Sequence, residues 1–291
     1  MGGGSYININ ADTKYIGLIG NPVIHSYSPI MHNRTFARLG MNCLYLPFEV
    51  ARNSLKKSAE ALKNLNFCGF NVTIPFKEEI IFSLDSLSEE ASACGAVNVV
   101  KNDHGKLVGY NTDGQGFIAA LDEQGVKITK GQALIIGAGG AARSVAYALA
   151  ARGLANMDIL DIDYNKSLDL AKFIKDSTGC YATAWPMQMD NYLKTSRYKK
   201  LIINCSPVGM YPDNHLSPVK ELGELLPDTV LCDLIYNPLQ TRFLSMGAAK
   251  GLKTINGLPM FVNQGALTLQ ILLQIDPPGE YMKEVLLDLL Q

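Results

Sequence analysis

The sequence lacks a long apolar segment, a surplus of either charge and any closely spaced pair of cysteines. No run of about 18 apolar residues occurs, so we expect no transmembrane helix and no membrane partner. The 26 Lys and Arg residues nearly balance the 27 Asp and Glu residues, leaving a net charge of −1. This balance argues against a nucleic-acid partner held by broad electrostatics and leaves a small molecule as the expected partner.

The cysteines and histidines show no metal-binding pattern. Six cysteines are scattered without a C-x-x-C pair, and the four histidines have no ligand spacing with them. This pattern predicts reduced thiols in a cytoplasmic protein. It also predicts that the protein binds no metal, which argues against a zinc-dependent alcohol dehydrogenase. Residues 1–5 have neither a basic start nor an apolar core, which is typical of a flexible leader rather than a signal peptide.

The remaining chain alternates strand-like and helix-like segments, which predicts an α/β protein of two domains. We expect an N-terminal α/β substrate domain over residues 1–112, joined by C-terminal helices in 260–291, and a Rossmann-type doubly wound cofactor domain over 113–259. The predicted strands of the first domain are residues 15–19, 44–50, 70–74 and 97–100, with a helix at 54–65 and a hairpin at 102–106. After residue 200 we predict strands at 201–204, 230–233 and 253–255, and helices at 217–226, 241–250, 260–275 and 280–290.

A glycine-rich turn lies mid-chain between an apolar run and a helix-like stretch. Residues 133–136 read ALII, typical of a buried parallel strand, and residues 137–142 read GAGGAA. Gly137 would form the tight turn, Gly139 would let the backbone approach a pyrophosphate, and Ala142 would fill the small third position. The phosphates would then face a helix N-terminus, which favours negative charge. This order of elements predicts a dinucleotide cofactor.

Asp161, after the next predicted strand at residues 157–160, bears on the choice of cofactor. A carboxylate there can accept hydrogen bonds from the ribose hydroxyls of NAD but would repel the 2′-phosphate of NADP. Residues 162–165 contain no Arg, and Lys166 is the nearest cation that follows. The sequence therefore predicts NAD, with NADP less favoured. The alternative is that Asp161 is a solvated strand end or a helix cap.

Polar residues of the first domain are candidates for substrate binding. Ser26 and Ser28 precede a predicted helix, where two hydroxyls suit a small carboxylate, although Ser28 is equally a good N-cap before Pro29. Thr73 and Lys77 follow a strand, at the edge where open α/β sheets bind ligands, although Lys77 reads equally as a surface lysine.

Asp113 lies between Thr112 and Gly114 and is ambiguous in the same way. It is either a functional carboxylate or the N-cap of a helix over residues 114–123.

Taken together, seven separated motifs resemble the shikimate dehydrogenase family. They are SYSP at 26–29, NVTIPFK at 71–77, GAVN at 95–98, GYNTDG at 109–114, GAGGA at 137–141, NCSPVGM at 204–210 and GLPMFVNQG at 257–265. The match runs in order from about residue 15 to the C-terminus. It departs at residues 161–163, which read DID where NADP-specific members carry Asn-Arg-Thr or similar. This departure, with EYMK at 280–283, looks more like the NAD-using quinate/shikimate dehydrogenase branch.

The resemblance implies roles for individual residues. The catalytic pair would be Lys77 and Asp113, which also contact the substrate. The substrate carboxylate would lie on Ser26 and Ser28, and the ring hydroxyls on Thr73, Asn98 and Gln264, with Tyr236 nearby. Cofactor-binding positions would be Gly137, Ala138, Gly139, Gly140, Ala141, Asp161, Ser206, Leu234, Tyr236 and Gly257.

The implied activity is the reversible oxidation of shikimate to 3-dehydroshikimate, in aromatic amino acid biosynthesis, with quinate as a further substrate that gives 3-dehydroquinate. A different NAD-dependent enzyme on the same frame, such as an amino acid or folate dehydrogenase, would lack the Ser-x-Ser and Asn-Thr-Asp-Gly segments. A non-catalytic regulator that senses a metabolite or nucleotide would be expected to lack Lys77 or Asp113. The sequence does not determine the oligomeric state and is compatible with a homodimer.

Overall fold

The computed structural model describes residues 9–290, so the predicted leader at residues 1–5 lies outside the described part. The chain forms two compact units. Unit 1 contains the described residues up to Thr112 together with Gln264–Leu289, and unit 2 contains Asp113–Asn263. The first division thus falls after Thr112. The second falls inside one unbroken helix, Leu258–Leu273, because a continuous helix supplies residues to both units.

Unit 1 is built on a mixed sheet of six strands. Its elements are β1 (Lys14–Gly20), α1 (Ser28–Arg38), β2 (Cys43–Glu49), α2 (Leu55–Asn64), β3 (Gly69–Val72), β4 (Ser86–Leu87), α3 (Glu89–Cys94), β5 (Val99–Asp103) and β6 (Lys106–Tyr110). The strand order is β2-β1-β3-β5-β6-β4. Strands β1, β2 and β3 run parallel, whereas β5 pairs antiparallel with β3 and β6. The predicted hairpin at residues 102–106 is the β5–β6 connection.

Unit 2 contains a second sheet of six strands. Its elements are α4 (Asp113–Glu123), β7 (Gln132–Ile136), α5 (Gly140–Ala151), β8 (Asn156–Asp161), α6 (Tyr164–Thr178), β9 (Tyr181–Pro186), α7 (Met189–Ser196), β10 (Leu201–Asn204), β11 (Val230–Asp233), α8 (Arg242–Ala249) and β12 (Lys253–Ile255). Two further helices end the chain, α9 (Leu258–Leu273) and α10 (Gly279–Leu290).

The second sheet has the doubly wound order predicted from the sequence. Its strands run β12-β11-β10-β7-β8-β9 and all are parallel. The order reverses between β7 and β10, where folds of this kind bind ligands at the carboxyl ends of the strands. Helix α5 buries Ala142, Val145, Ala146 and Leu149, the i, i+3, i+4, i+7 pattern of one helix face.

The helix predicted at residues 217–226 is wrong. Val219 and Leu222 are buried in the core beside Phe243, as an apolar helix face would be, but the backbone there is irregular. Gly223 adopts a φ of +62°, in the left-handed region, in the middle of the segment. This residue interrupts a right-handed helix, although the apolar side chains still reach the core.

Within residues 9–290 no helix combines the length and apolarity needed to cross a membrane.

All six cysteines are free thiols, and burial raises the pKa of Cys43 to about 12.

Candidate active site

The two serines predicted to hold a carboxylate lie at the start of α1. Of the two interpretations of Ser28, the structure does not support the N-cap, because Tyr27 is the capping residue and Ser28 is already helical, with Pro29 in the first turn. The Ser28 amide donates to Ser26 Oγ at 3.3 Å, so the first hydroxyl folds back on the helix end. Ser28 is buried and Ser26 half-buried. Both serines therefore lie at the positive end of an 11-residue helix.

Thr73 and Lys77 lie on one loop just beyond β3. The Thr73 amide donates to the Ile19 carbonyl at 2.9 Å, and the Phe76 amide donates to the Thr73 carbonyl at 3.0 Å. Phe76 is fully buried and anchors the turn, which leaves Lys77 half-buried. A Cβ on Gly20 would lie 2.3 Å from Thr73 Cγ2, so only glycine lets β1 end against this loop.

The Asn98 side chain clamps Thr112. Its Nδ2 donates to Thr112 Oγ1 at 2.9 Å, and its Oδ1 accepts from the Thr112 amide at 2.8 Å. Thr112 Oγ1 in turn donates to the Gln264 carbonyl at 3.1 Å. The Val97 amide donates to the Lys77 carbonyl at 2.7 Å, immediately before Asn98. Unit 1 therefore brings Lys77, Asn98 and Gln264 into one neighbourhood from three distant stretches of sequence.

A second polar layer supports this arrangement from behind. Asn71 Nδ2 donates to the Asn98 carbonyl at 3.0 Å and to Thr268 Oγ1 at 3.2 Å. Asn71 Oδ1 accepts from the Tyr45 hydroxyl at 2.8 Å. All four residues are buried, so these bonds satisfy polar groups that water cannot reach.

Gly265 lets α9 approach α1 closely. A Cβ there would lie 2.6 Å from Met31 Cε and 3.3 Å from His32 Cε1. His32 stacks on Tyr45 with ring centroids 4.5 Å apart, and its burial lowers its pKa to about 3. The histidine is therefore a neutral packing residue near neutral pH, next to the helix that carries Gln264.

Asp113 is the first residue of α4 in unit 2, and it is buried. It follows Thr112 directly, so the Asn98 clamp fixes the residue before it. Within unit 2, a Cβ on Gly114 would lie 2.7 Å from the Ser144 carbonyl oxygen, which means that α4 and α5 touch through backbone. Asp113 therefore stands at a helix start whose position is tightly defined.

The glycine turn of unit 2 has the geometry expected of a phosphate-binding turn. Gly137 has a φ of +103°, and a Cβ on it would lie 3.0 Å from the Ser206 amide nitrogen, so β7 and β10 end against each other. A Cβ on Gly139 would meet no atom within 4 Å. Gly139 caps α5, whose N-terminal amides and dipole suit an anion. These residues fit the pyrophosphate of a dinucleotide.

Asp161 ends β8 beside that turn. Its Oδ2 accepts from the Ala138 amide at 2.6 Å, and its Oδ1 accepts from the Asp163 amide at 2.8 Å. The side chain thus holds the glycine turn, a role that neither earlier interpretation included. Each carboxylate oxygen keeps a second lone pair for a ligand hydroxyl. Ile162, the next residue, is 92% exposed.

The remaining positions predicted to bind the cofactor lie on loops after β10, β11 and β12. Tyr236 stacks on Phe261, with ring centroids 4.2 Å apart. The Gly257 amide donates to the Ile235 carbonyl at 2.9 Å, and a Cβ on Gly257 would lie 2.1 Å from the Leu234 carbonyl oxygen. Only glycine permits this approach, so the Leu234–Tyr236 segment and the start of α9 form one rigid piece of unit 2. In residues 9–290 no group of three or more His, Cys, Asp or Glu side chains is placed to hold a metal.

Known proteins are similar to this chain over most of its length. Residues 18–100 match the model of the shikimate dehydrogenase substrate binding domain. The shikimate dehydrogenase (NADP(+)) of Syntrophomonas wolfei is 53% identical over 95% of both chains. The chain belongs to the shikimate dehydrogenase family. It is therefore an oxidoreductase of the class that acts on a CH–OH group, and it uses a nicotinamide cofactor.

Solved members of the shikimate dehydrogenase family share the fold. A shikimate dehydrogenase in complex with NADP+ has a TM-score of 0.89 and 41% identity, covering 97% of this chain and 98% of its own. The Listeria monocytogenes enzyme, in complex with shikimate and NAD, has a TM-score of 0.88 and 35% identity, with 96% and 98% covered. Quinate dehydrogenase from Corynebacterium glutamicum, with NAD, has a TM-score of 0.84 and 28% identity, with 95% and 99% covered. None of these proteins favours the regulator considered above.

Sequence reasoning missed the residues that organise the candidate site. Asn71 and Thr112 lie inside recognised motifs but were not singled out, because a buried asparagine or threonine reads from sequence as an ordinary polar residue. Thr268 lies one helical turn after Gln264 and Tyr45 lies in a strand, so neither carries a signal that sequence alone reveals.

Thr112→Val should destabilise the protein, because the buried Asn98 Nδ2 loses the hydroxyl acceptor that Thr112 provides. We expect the free energy of unfolding to fall by about 1–3 kcal/mol, measured by urea denaturation. Thr112→Ser keeps the hydroxyl and should cost clearly less. Equal stability of the Val and Ser variants would mean that the hydroxyl is not part of the clamp.

Proposed function

We propose that this protein is a shikimate dehydrogenase that interconverts shikimate and 3-dehydroshikimate and that prefers NAD to NADP. The observation that carries the substrate assignment is the set of hydrogen bonds joining Asn98, Thr112 and Gln264 next to the Lys77 carbonyl. Shikimate offers one carboxylate and three ring hydroxyls, which match serine hydroxyls at a helix start and a group of amide, hydroxyl and charged side chains.

The substrate carboxylate binds at the start of α1. Ser26 and Ser28 supply hydroxyl donors there, and the helix dipole adds a favourable field. Charge-assisted hydrogen bonds of this kind are stronger than neutral ones, so this end of the unit anchors the acid. The ring hydroxyls bind Thr73, Asn98 and Gln264, with Lys77 and Asp113 at the reacting hydroxyl and Tyr236 as a further contact.

Lys77 and Asp113 handle the proton of the reacting hydroxyl. A bound nicotinamide cofactor would supply the hydride acceptor for the alcohol carbon, and the hydride donor for the reverse reaction. In the oxidation the hydroxyl proton passes to Lys77 Nζ and from there to solvent, and in the reduction Lys77 Nζ donates a proton to the oxygen as alkoxide character develops, while Asp113 orients the hydroxyl and the lysine. Within unit 1 the buried Phe76 anchors the turn that carries Lys77, and within unit 2 the start of α4 carries Asp113.

The cofactor preference is proposed from Asp161 and its neighbours. The carboxylate holds the glycine turn and keeps acceptor capacity for the ribose hydroxyls, whereas a 2′-phosphate would bring about two negative charges next to it. The following residue is an exposed isoleucine rather than an arginine. The Syntrophomonas relative is named for NADP(+) instead, and a direct comparison of the two cofactors decides between them.

Quinate is a second candidate substrate. The name of the solved Corynebacterium neighbour favours it, and that protein was solved with NAD. Steady-state rates with shikimate and with quinate, each in NAD and in NADP, test the proposal directly. Absence of turnover with both acids in both cofactors would refute it.

Lys77→Ala should lower kcat by roughly 10²–10⁴-fold, because Lys77 acts where charge develops in the transition state. The KM for shikimate should change much less. Steady-state kinetics check this, with Lys106→Ala, an exposed lysine on β6, as the matched control. A near wild-type kcat in Lys77→Ala would assign the proton step to another group.

The double variant Ser26→Ala, Ser28→Ala should raise the KM for shikimate by roughly 10–100-fold, because two hydrogen bonds to a charged carboxylate are lost. The carboxylate keeps its charge during the reaction, so kcat should fall less, through misplacement alone. Ser86→Ala, an exposed serine, is the control. An unchanged KM would place the carboxylate elsewhere.

Wild type should show a higher kcat/KM for NAD than for NADP. Repulsion between Asp161 and a 2′-phosphate is worth on the order of a few kcal/mol at an effective dielectric near 20, and about 1.4 kcal/mol is tenfold. Asp161→Asn with Ile162→Arg should shift the ratio toward NADP, whereas Asp169→Asn, at an exposed position of α6, should not. A wild type that favours NADP contradicts the NAD assignment and leaves the substrate assignment intact.

A further inference from the structure

Three buried polar side chains form a cluster at the carboxyl ends of β10 and β11. None of the three is among the substrate-binding, catalytic or cofactor-binding candidates. Asn204 ends β10, Asp233 ends β11 and Thr241 caps α8. Their side chains belong to residues that are 0%, 1% and 1% exposed. Burying a carboxylate costs desolvation free energy unless several donors hydrogen-bond to it, so we asked what the Asp233 carboxylate does here.

Asp233 accepts three hydrogen bonds. Its Oδ1 accepts from Asn204 Nδ2 and from the Ile235 amide, both at 3.1 Å, and its Oδ2 accepts from Thr241 Oγ1 at 2.8 Å. Thr241 Oγ1 also accepts from the Leu244 amide at 3.2 Å, so its own proton is directed to Asp233. The donor pattern therefore matches the ionised carboxylate.

The cluster holds two loops at once. Asn204 Oδ1 accepts from the Ser206 amide at 3.0 Å and from the Ser206 hydroxyl at 2.6 Å, which fixes the loop after β10. The bond from Asp233 to the Ile235 amide fixes the loop after β11, and the Ile235 carbonyl accepts from Gly257. Asp233 is thus the shared acceptor between the loops that carry Ser206, Leu234, Tyr236 and Gly257.

We propose that Asp233 is a positioning residue that sets the nicotinamide-side loops of the cofactor site through its ionised carboxylate. The inference rests on the proposed function, because the roles of Ser206, Leu234, Tyr236 and Gly257 belong to it. Asp233 acts through these loops, and Asn204 and Thr241 are its partners.

The charge state of the cluster changes near neutral pH. Burial raises the pKa of Asp233 to about 7, and the three donors oppose that rise. The neighbouring titratable groups are the thiols of Cys205 and Cys232, whose own pKa values burial raises, and Lys253 acts on Cys232. Below the pKa of Asp233 its carboxyl carries a proton and no longer accepts from all three donors, so the loops loosen as the pH falls from 8 to 6.

The test compares binding of NADH with binding of ADP-ribose, which lacks the nicotinamide, by calorimetry on the full chain. Asp233→Asn keeps the size but places an amide where an acceptor oxygen is needed. We expect the Kd for NADH to rise about tenfold or more while the Kd for ADP-ribose stays within a factor of two or three. Asp228→Asn, an exposed aspartate before β11, should change neither.

A pH series gives the second readout. Wild type should bind NADH more tightly at pH 8 than at pH 6, and Asp233→Asn should lose this dependence. If thermal melting shows that Asp233→Asn does not fold, Thr241→Val is measured instead, since loss of one donor should weaken NADH binding and move the pH midpoint upward. If wild type prefers NADPH, the same measurements are made with NADPH in place of NADH and with 2′-phospho-ADP-ribose in place of ADP-ribose.

The inference is overturned if the variant binds NADH as wild type does, or if it weakens NADH and ADP-ribose equally. Failure of the wild type to bind any of these ligands would instead remove the proposed function, so the two failures are distinguishable.

Discussion

The two hydrogen bonds between the Asn98 side chain and Thr112 are the constraint on which the candidate site depends. They join the residue before β5 to the second residue after β6 and, through Thr112 Oγ1, to α9. Because Asn98 and Thr112 are both buried, water cannot replace the bonds between them, and breaking one leaves a buried polar group poorly satisfied. The candidate substrate residues therefore take their places from a buried network behind them, with Asn71 as its second layer.

In unit 2, close contacts between backbone segments fix the positions of the loops, whereas in unit 1 side-chain hydrogen bonds do so. Gly137 lies against the Ser206 amide, Gly114 against the Ser144 carbonyl and Gly257 against Leu234. Asp161 then adds a side-chain acceptor to the glycine turn. The fold leaves the cofactor choice open, since relatives with TM-scores of 0.89 and 0.88 were solved with NADP+ and with NAD. We propose that a few side chains at the end of β8 make that choice.

The strands after residue 200 and the glycine turn were predicted almost residue for residue, because a buried parallel strand is a short apolar run and the turn needs glycine. The helix at residues 217–226 was predicted wrongly for a related reason. Val219 and Leu222 are apolar because they enter the core, and apolar spacing alone does not distinguish a helix from an irregular segment whose side chains also reach the core.

By itself the sequence determined the family, the doubly wound order and the list of candidate residues, because motif spacing and apolar periodicity are local properties of the chain. Only the tertiary structure decided which of those residues are linked: Asn98 to Thr112 and Gln264, Asp161 to the glycine turn, and Asp233 to two loops. These links join residues far apart in sequence, and a hydrogen bond between them depends on distance in the folded chain, which no local pattern records.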